Sequence, residues 1–178
     1  QGADCKMIPV QLPRVIGVSA VGVTQQLAWY SNYGRGVVDL AGPGGDSLIP
    51  YPLVTDTPAS GQVLSSVPPN SLFYQAAADW NGQVQDCSSG SCAPYAYLLG
   101  TSMAAPHVTG VAALAISKYG RMAPEILLGL LSLTAQRLPC PPSPYDPGET
   151  GQPAACEQRG LRNNFYGAGE VNALAVVK

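Results

Sequence analysis

From Ser102 to Tyr119 the chain is rich in Ala and Val, shows almost no polar side, and stops at Gly120, the residue type that most readily ends a helix. A helix that is apolar all round calls for cover all round, so this one segment demands neighbours on every side. Four short runs offer them: 15–21, 37–41, 63–67 and 95–99 are rich in β-branched residues, bounded by Gly and Pro, and apolar on both faces. Strands of that kind suit a central parallel sheet covered by helices on both sides better than a half-solvated antiparallel one. Pro106 is expected in the first turn of the buried helix, where a missing N–H costs no internal bond. A second, amphipathic helix is predicted over 124–137, opened by Pro124 and followed by Pro139. The Pro-rich segment 139–160 reads as a long surface loop, and 170–177 as a short terminal helix. Strands alternating with helices, with no repeat and no break in composition, give an α/β class and a single domain.

Composition narrows the function. The 178 residues are 46% apolar and only 11% charged, with 20 Gly and 17 Pro, against roughly 25% charged in an average domain. A formal charge of -2 and the lack of a basic stripe exclude nucleic acid as a natural partner. No apolar run approaches the roughly 20 residues of a membrane span. The start at Gln1, without an initiator Met, points to processing, cleavage or a chosen boundary.

Five cysteines stand at 5, 87, 92, 140 and 156, none in the paired spacing of a structural zinc site, and no metal ligands are assigned. Cys87 and Cys92 flank a Ser/Gly tetrapeptide; Cys140 and Cys156 bracket a segment with little core. Both pairs read as stapled loops in an oxidising, extracellular setting, the alternative being buried free thiols, and Cys5 is left over. Asp39, Asp46 and Asp56 read as scattered, solvated loop acids rather than a cation site, and Asn32 as a turn residue.

The most informative stretch is Tyr97-Leu98-Leu99-Gly100-Thr101-Ser102-Met103-Ala104-Ala105-Pro106-His107-Val108, where a strand ends at Gly and a Ser opens the buried helix. A hydroxyl there sits beside unpaired backbone N–H groups and the positive end of the helix dipole, both of which stabilise developing negative charge. On physics alone the plainer role of a Thr-Ser pair is to cap the helix.

The nine residues Gly100 to Val108 resemble the nucleophile signature of the subtilisin-like serine peptidases. The similarity continues in Val15-Ile16-Gly17-Val18-Ser19-Ala20-Val21, Tyr30-Ser31-Asn32-Tyr33-Gly34, Val38-Asp39-Leu40-Ala41-Gly42-Pro43-Gly44 and Tyr166-Gly167-Ala168-Gly169-Glu170-Val171-Asn172-Ala173. The loops 49–58, 70–94 and 140–161 fall outside it. The resemblance implies the C-terminal half of a three-layer α/β fold with a parallel central sheet. It implies Ser102 as nucleophile of an endopeptidase acting through an acyl-enzyme, its own N–H being one oxyanion donor. Leu98, Leu99, Gly100, Thr101 and Met103 are implied along the substrate, the first three on the leaving-group side, with Met103 an oxidisable neighbour of the nucleophile.

His107, the only His in the chain, is five residues from Ser102, about 500° around a helix, and so is displaced in angle and along the axis. It reads as structural. The family's Asp-Thr-Gly and His-Gly-Thr segments do not occur here, and Gln1-Gly2 fits the last two positions of the family's Ala-Gly-Asn-x-Gly oxyanion loop. The expected partners are therefore an N-terminal half of the same peptidase and a protein or peptide substrate, and this half alone is expected to be inactive. Two alternatives stand beside that reading: an inactive fragment or pseudoenzyme serving as a protein-binding module, and a nicked enzyme whose pieces stay packed. The resemblance further implies a secreted protein made with a removable propeptide. No cofactor is expected; calcium is frequent in such relatives, but no site for it is placed on these residues.

Overall fold

The computed structural model describes residues 7–46, 61–80, 82–146 and 153–178; Cys5, Asp56 and the loop 49–58 lie outside them. Strand β1 (Val18–Val21) pairs in parallel with β2 (Leu40–Pro43), Val18 opposite Leu40 and Val21 opposite Pro43. The far edge of β2 takes a further parallel lane: the Ala41 N–H donates to the Gly169 carbonyl and the Val171 N–H to the Ala41 carbonyl, each at 2.9 Å. Both strands are shorter than the apolar runs that announce them. Just ahead of β1, the Gly17 carbonyl accepts the N–H groups of Asp39 and Leu40 at the entry into β2.

Both faces of this parallel layer are covered, which is why its residues are apolar on both sides. On one face Leu40 packs with Val108, Val111 and Ala115 of helix α2 (Thr101–Tyr119) and with Leu131 of α3 (Pro124–Thr134). On the other, Val21 and Ala41 pack with Leu27, Leu138, Tyr145, Phe165 and Tyr166. The layering is that of an α/β fold.

The expectation that all four runs join one parallel sheet fails for two of them. Strands β3 (Val63–Ser66), β4 (Gln83–Asp86) and β5 (Ala93–Leu98) form a separate antiparallel sheet in the order β3-β5-β4. Strand β3 alternates between half-buried and exposed positions, β4 is mostly exposed, and the central β5 is half-buried apart from an exposed Ala93 and a buried Ala96, so neither β3 nor β5 is the fully buried strand expected. The hairpin joining β4 to β5 is closed by a Cys87–Cys92 disulfide. Helix α1 (Leu72–Ala77), whose first turn is capped by the Ser71 hydroxyl accepting the Tyr74 N–H at 3.1 Å, has no counterpart among the elements expected from sequence; nor has β4.

Helix α2 corrects a second expectation. Ala104, Val108, Val111 and Ala115 form one buried stripe, yet the opposite side presents Ala105, Pro106, Thr109, Gly110 and Ala113 to solvent, with Leu114 46% and Ile116 40% exposed. Among the described residues, this apolar helix is thus covered on one face only. Pro106 lies in the second turn rather than the first, so the Ser102 carbonyl has no N–H four residues on. Among the described residues no helix is long and apolar enough to cross a membrane.

Helix α3 stops at Thr134, short of the predicted Arg137, because Ala135 turns extended and Gln136 exchanges two backbone bonds with Glu170, at 2.8 and 2.9 Å. The last helix, α4 (Ala173–Val176), starts later than predicted, with the Asn172 side chain accepting the Ala175 N–H. The segment 139–160 is stapled by Cys140–Cys156 and is not wholly superficial: Tyr145 is buried and its hydroxyl donates to the Leu27 carbonyl.

Glu170 sits at this junction, its carboxylate accepting the Gln25 amide at 2.8 Å. Burial pushes its pKa above the ordinary glutamate range, against the smaller opposing effects of Gln25 and His107. A carboxyl with a raised folded-state pKa holds its proton more tightly folded than unfolded, so its contribution to stability is full below the unfolded pKa and is lost as pH rises through the folded one. Glu170→Gln is therefore expected to flatten the decline of the urea midpoint between mildly acidic and neutral pH; an unchanged slope refutes this.

Candidate active site

Strand β5 ends at Leu98, and two residues later Gly100 begins α2 as its N-cap, with φ 151°. That positive φ favours glycine. The Gly100 N–H donates to the Gly44 carbonyl at 2.9 Å, and its own carbonyl accepts the N–H groups of Met103 (2.9 Å) and Ala104 (3.3 Å). The amides of Thr101 and Ser102 stand ahead of these first donors and have no acceptor among the described residues, as at a helix start. No side chain caps the helix, so the capping role open to Thr101 and Ser102 is not taken. Ser102 instead occupies the second helical position with its side chain exposed to solvent.

Ser102 opens onto a groove of about 510 Å³ between the exposed face of α2 and strand β3, with Met103, Pro106 and His107 along one wall and Val63, Leu64 and Ser65 along the other. Of the residues marked out by sequence, Ser102 and Met103 line the groove. Leu98, Leu99, Gly100 and Thr101 lie just upstream, all half-buried, from the end of β5 through the N-cap to the first residue of α2.

His107 lines the same groove, and its Nδ1 lies 2.8 Å from the Met103 carbonyl of its own helix. Among the described residues nothing hydrogen-bonds the Ser102 hydroxyl, so no group there stands ready to take its proton. The packing role expected for His107 finds no cover here either, since the imidazole is exposed.

The acids differ from the scattered, solvated residues expected. Asp46 is 2% exposed. Asp39 accepts the Gly17 N–H at 2.9 Å through Oδ2 and pairs with Arg162 at 3.3 Å through Oδ1, so it fixes the entry into β2. Among the described residues no three His, Cys, Asp or Glu side chains converge.

Sequence reasoning places Tyr30 and Gly44 only as parts of a resemblance. In the structure they meet behind Gly100: the Tyr30 hydroxyl faces the Gly44 and Gly45 carbonyls at 2.8 and 2.6 Å. Burial pushes this phenol above its ordinary range, with a backbone bond from Gly100 opposing and the nearby Asp46 charge reinforcing. The aromatic-Ser-x-x-Gly run before a Gly-Pro-Gly turn is the available signal, but it does not say which atoms meet.

Comparison with known proteins bears on the same residues. Over 127 residues the chain is 28% identical to a probable subtilase-type serine protease of Deinococcus radiodurans, a match covering 71% of this chain and 14% of that protein. Among solved structures, a protease of Pseudoalteromonas arctica is 30% identical with a TM-score of 0.56, covering 96% of this chain and 37% of that one. Fervidolysin of Fervidobacterium pennivorans, a keratinolytic enzyme related to subtilisin, is 25% identical with a TM-score of 0.59, covering 96% of this chain and 20% of its own. The chain therefore spans well under half the length of each of these relatives. Residues 3–169 match the profile of the subtilase family from strand β1 through the Ser102 turn to the Gly167–Gly169 crossing of β2, and the chain belongs to that family.

Proposed function

We propose that this chain is the nucleophile-bearing C-terminal part of a subtilisin-like serine endopeptidase domain, with Ser102 as the nucleophile. The observation that carries the reading is a solvent-facing hydroxyl that caps nothing, held at a helix start beside the unpaired amides of Thr101 and Ser102. The Ser102 Oγ attacks a peptide carbonyl while a base takes its proton, and the charge forming on the carbonyl oxygen is stabilised by the Ser102 N–H and the helix dipole. Collapse of the tetrahedral species expels the amine and leaves an acyl-enzyme, which water hydrolyses. The base and its carboxylate come from a segment outside this chain, which also covers the open face of α2, and Leu98, Leu99 and Gly100 border the leaving-group side of the substrate. Two disulfides support an extracellular enzyme acting on proteins or peptides.

The test is labelling of the full-length protein with a fluorophosphonate, followed by intact mass and peptide mapping. One adduct on Ser102 is expected. A folded protein that stays unlabelled rejects catalysis and leaves a binding module, the reading favoured by the lack of a base beside Ser102 among the described residues.

A further inference from the structure

We infer that Tyr30 is a positioning residue for the nucleophile: its hydroxyl clamps the Gly44–Gly45 turn against Gly100 and so fixes the start of the helix that carries Ser102. The inference rests on the assignment of Ser102 as nucleophile. Each link is a direct contact. The Tyr30 hydroxyl donates to the carbonyls of Gly44 and Gly45. The same Gly44 carbonyl accepts the Gly100 N–H, and the Gly100 carbonyl accepts the amides of Met103 and Ala104, which bracket the first helical turn around Ser102.

The fit around the turn leaves no slack. A Cβ on Gly44 would stand 2.5 Å from the Ala20 Cβ and 2.9 Å from both the Gly100 carbonyl oxygen and the Tyr30 hydroxyl, so β1, the tyrosine and the helix start close on one backbone atom. The tyrosine is itself held: its ring meets Trp29 edge to face at 5.7 Å, and the adjacent Ser31 hydroxyl accepts the Ala20 N–H. A phenylalanine keeps the ring and its packing but leaves the Gly45 carbonyl without its donor and the Gly44 carbonyl with the Gly100 N–H alone, which frees the turn to shift. Small displacements of a nucleophile are costly, a 1 Å misplacement being worth about a hundredfold in rate.

The test sets Tyr30→Phe against Tyr145→Phe in the full-length protein. Both variants lose a phenol donating to a backbone carbonyl, but Tyr145 bonds Leu27, on the far face of the parallel layer from α2. Tyr30→Phe is expected to slow fluorophosphonate labelling of Ser102 about tenfold and to lower kcat with KM unchanged. It is also expected to speed hydrogen exchange at the Gly100 amide. Tyr145→Phe should leave labelling and kcat per folded molecule at the wild-type level while lowering the melting temperature. Equal labelling rates in wild type and Tyr30→Phe, or an equal loss in both variants, overturn the positioning role while the nucleophile assignment stands. An unlabelled wild type overturns the assignment itself, and the positioning role with it.

Discussion

Replacing Ser102 with Ala in the full-length protein is expected to reduce kcat on a chromogenic peptide about a millionfold, with KM and the melting temperature nearly unchanged. The size of the loss follows from the way a nucleophile and its base act as one unit. Once the Oγ is gone, the proton acceptor has nothing to activate, and only charge stabilisation and substrate binding remain to accelerate attack by water. The insensitivity of stability follows from the structure. Ser102 is exposed, its side chain makes no cap, and the first turn of α2 is fixed by the carbonyl of Gly100 rather than by a hydroxyl. Exposed substitutions of this kind stay within about 0.5 kcal/mol. Activity within about tenfold of wild type in the variant removes Ser102 from the chemistry. A large drop in melting temperature instead gives its hydroxyl a structural role that the geometry does not assign.

The sequence makes the parallel layer and the nucleophile turn legible for a common reason. Both leave one-dimensional marks: a two-sided apolar strand has no polar period, and a glycine before a helix start is needed wherever the backbone takes a positive φ. The antiparallel sheet leaves weaker marks. Strand β4, Gln-Val-Gln-Asp, has one apolar residue and owes its place to pairing with β5 and to the disulfide beyond it, which are relations between distant residues. Helix α2 misleads in the opposite direction. Its all-round apolar composition correctly records that it needs cover, but composition does not say from which chain the cover comes, and here Leu114 and Ile116 remain open. The same limit applies to the site. The residue type of Ser102 is visible in the sequence, whereas the contact of Tyr30 with Gly44 and Gly100 arises only when β1, β2 and the end of β5 converge.

Phe165, five residues beyond the segment 139–160 that reads as a surface loop, anchors that segment to the core. It is fully buried, with ring centroids 5.0 Å from Tyr33, 5.6 Å from Tyr145 and 5.9 Å from Tyr166, the first and last edge to face. The asparagine two residues before it turns the chain inward: the Asn163 side-chain oxygen accepts the N–H groups of Phe165 and Tyr166, and its amide donates to the Leu138 carbonyl. The plug thus ties both ends of the loop to the face of the parallel sheet opposite α2. Phe165→Ala is expected to cost about 3–5 kcal/mol in urea unfolding, the transfer term plus a cavity that three neighbouring rings cannot close. Leu161→Ala, at a residue 69% exposed, should cost no more than about 0.5 kcal/mol. A loss below about 1 kcal/mol at Phe165 means that the aromatic cluster repacks freely, and the loop is then held by its disulfide rather than by its core. A large loss establishes the cluster as the element that keeps 166–171 against the edge of β2, where Ala41 receives Gly169 and Val171.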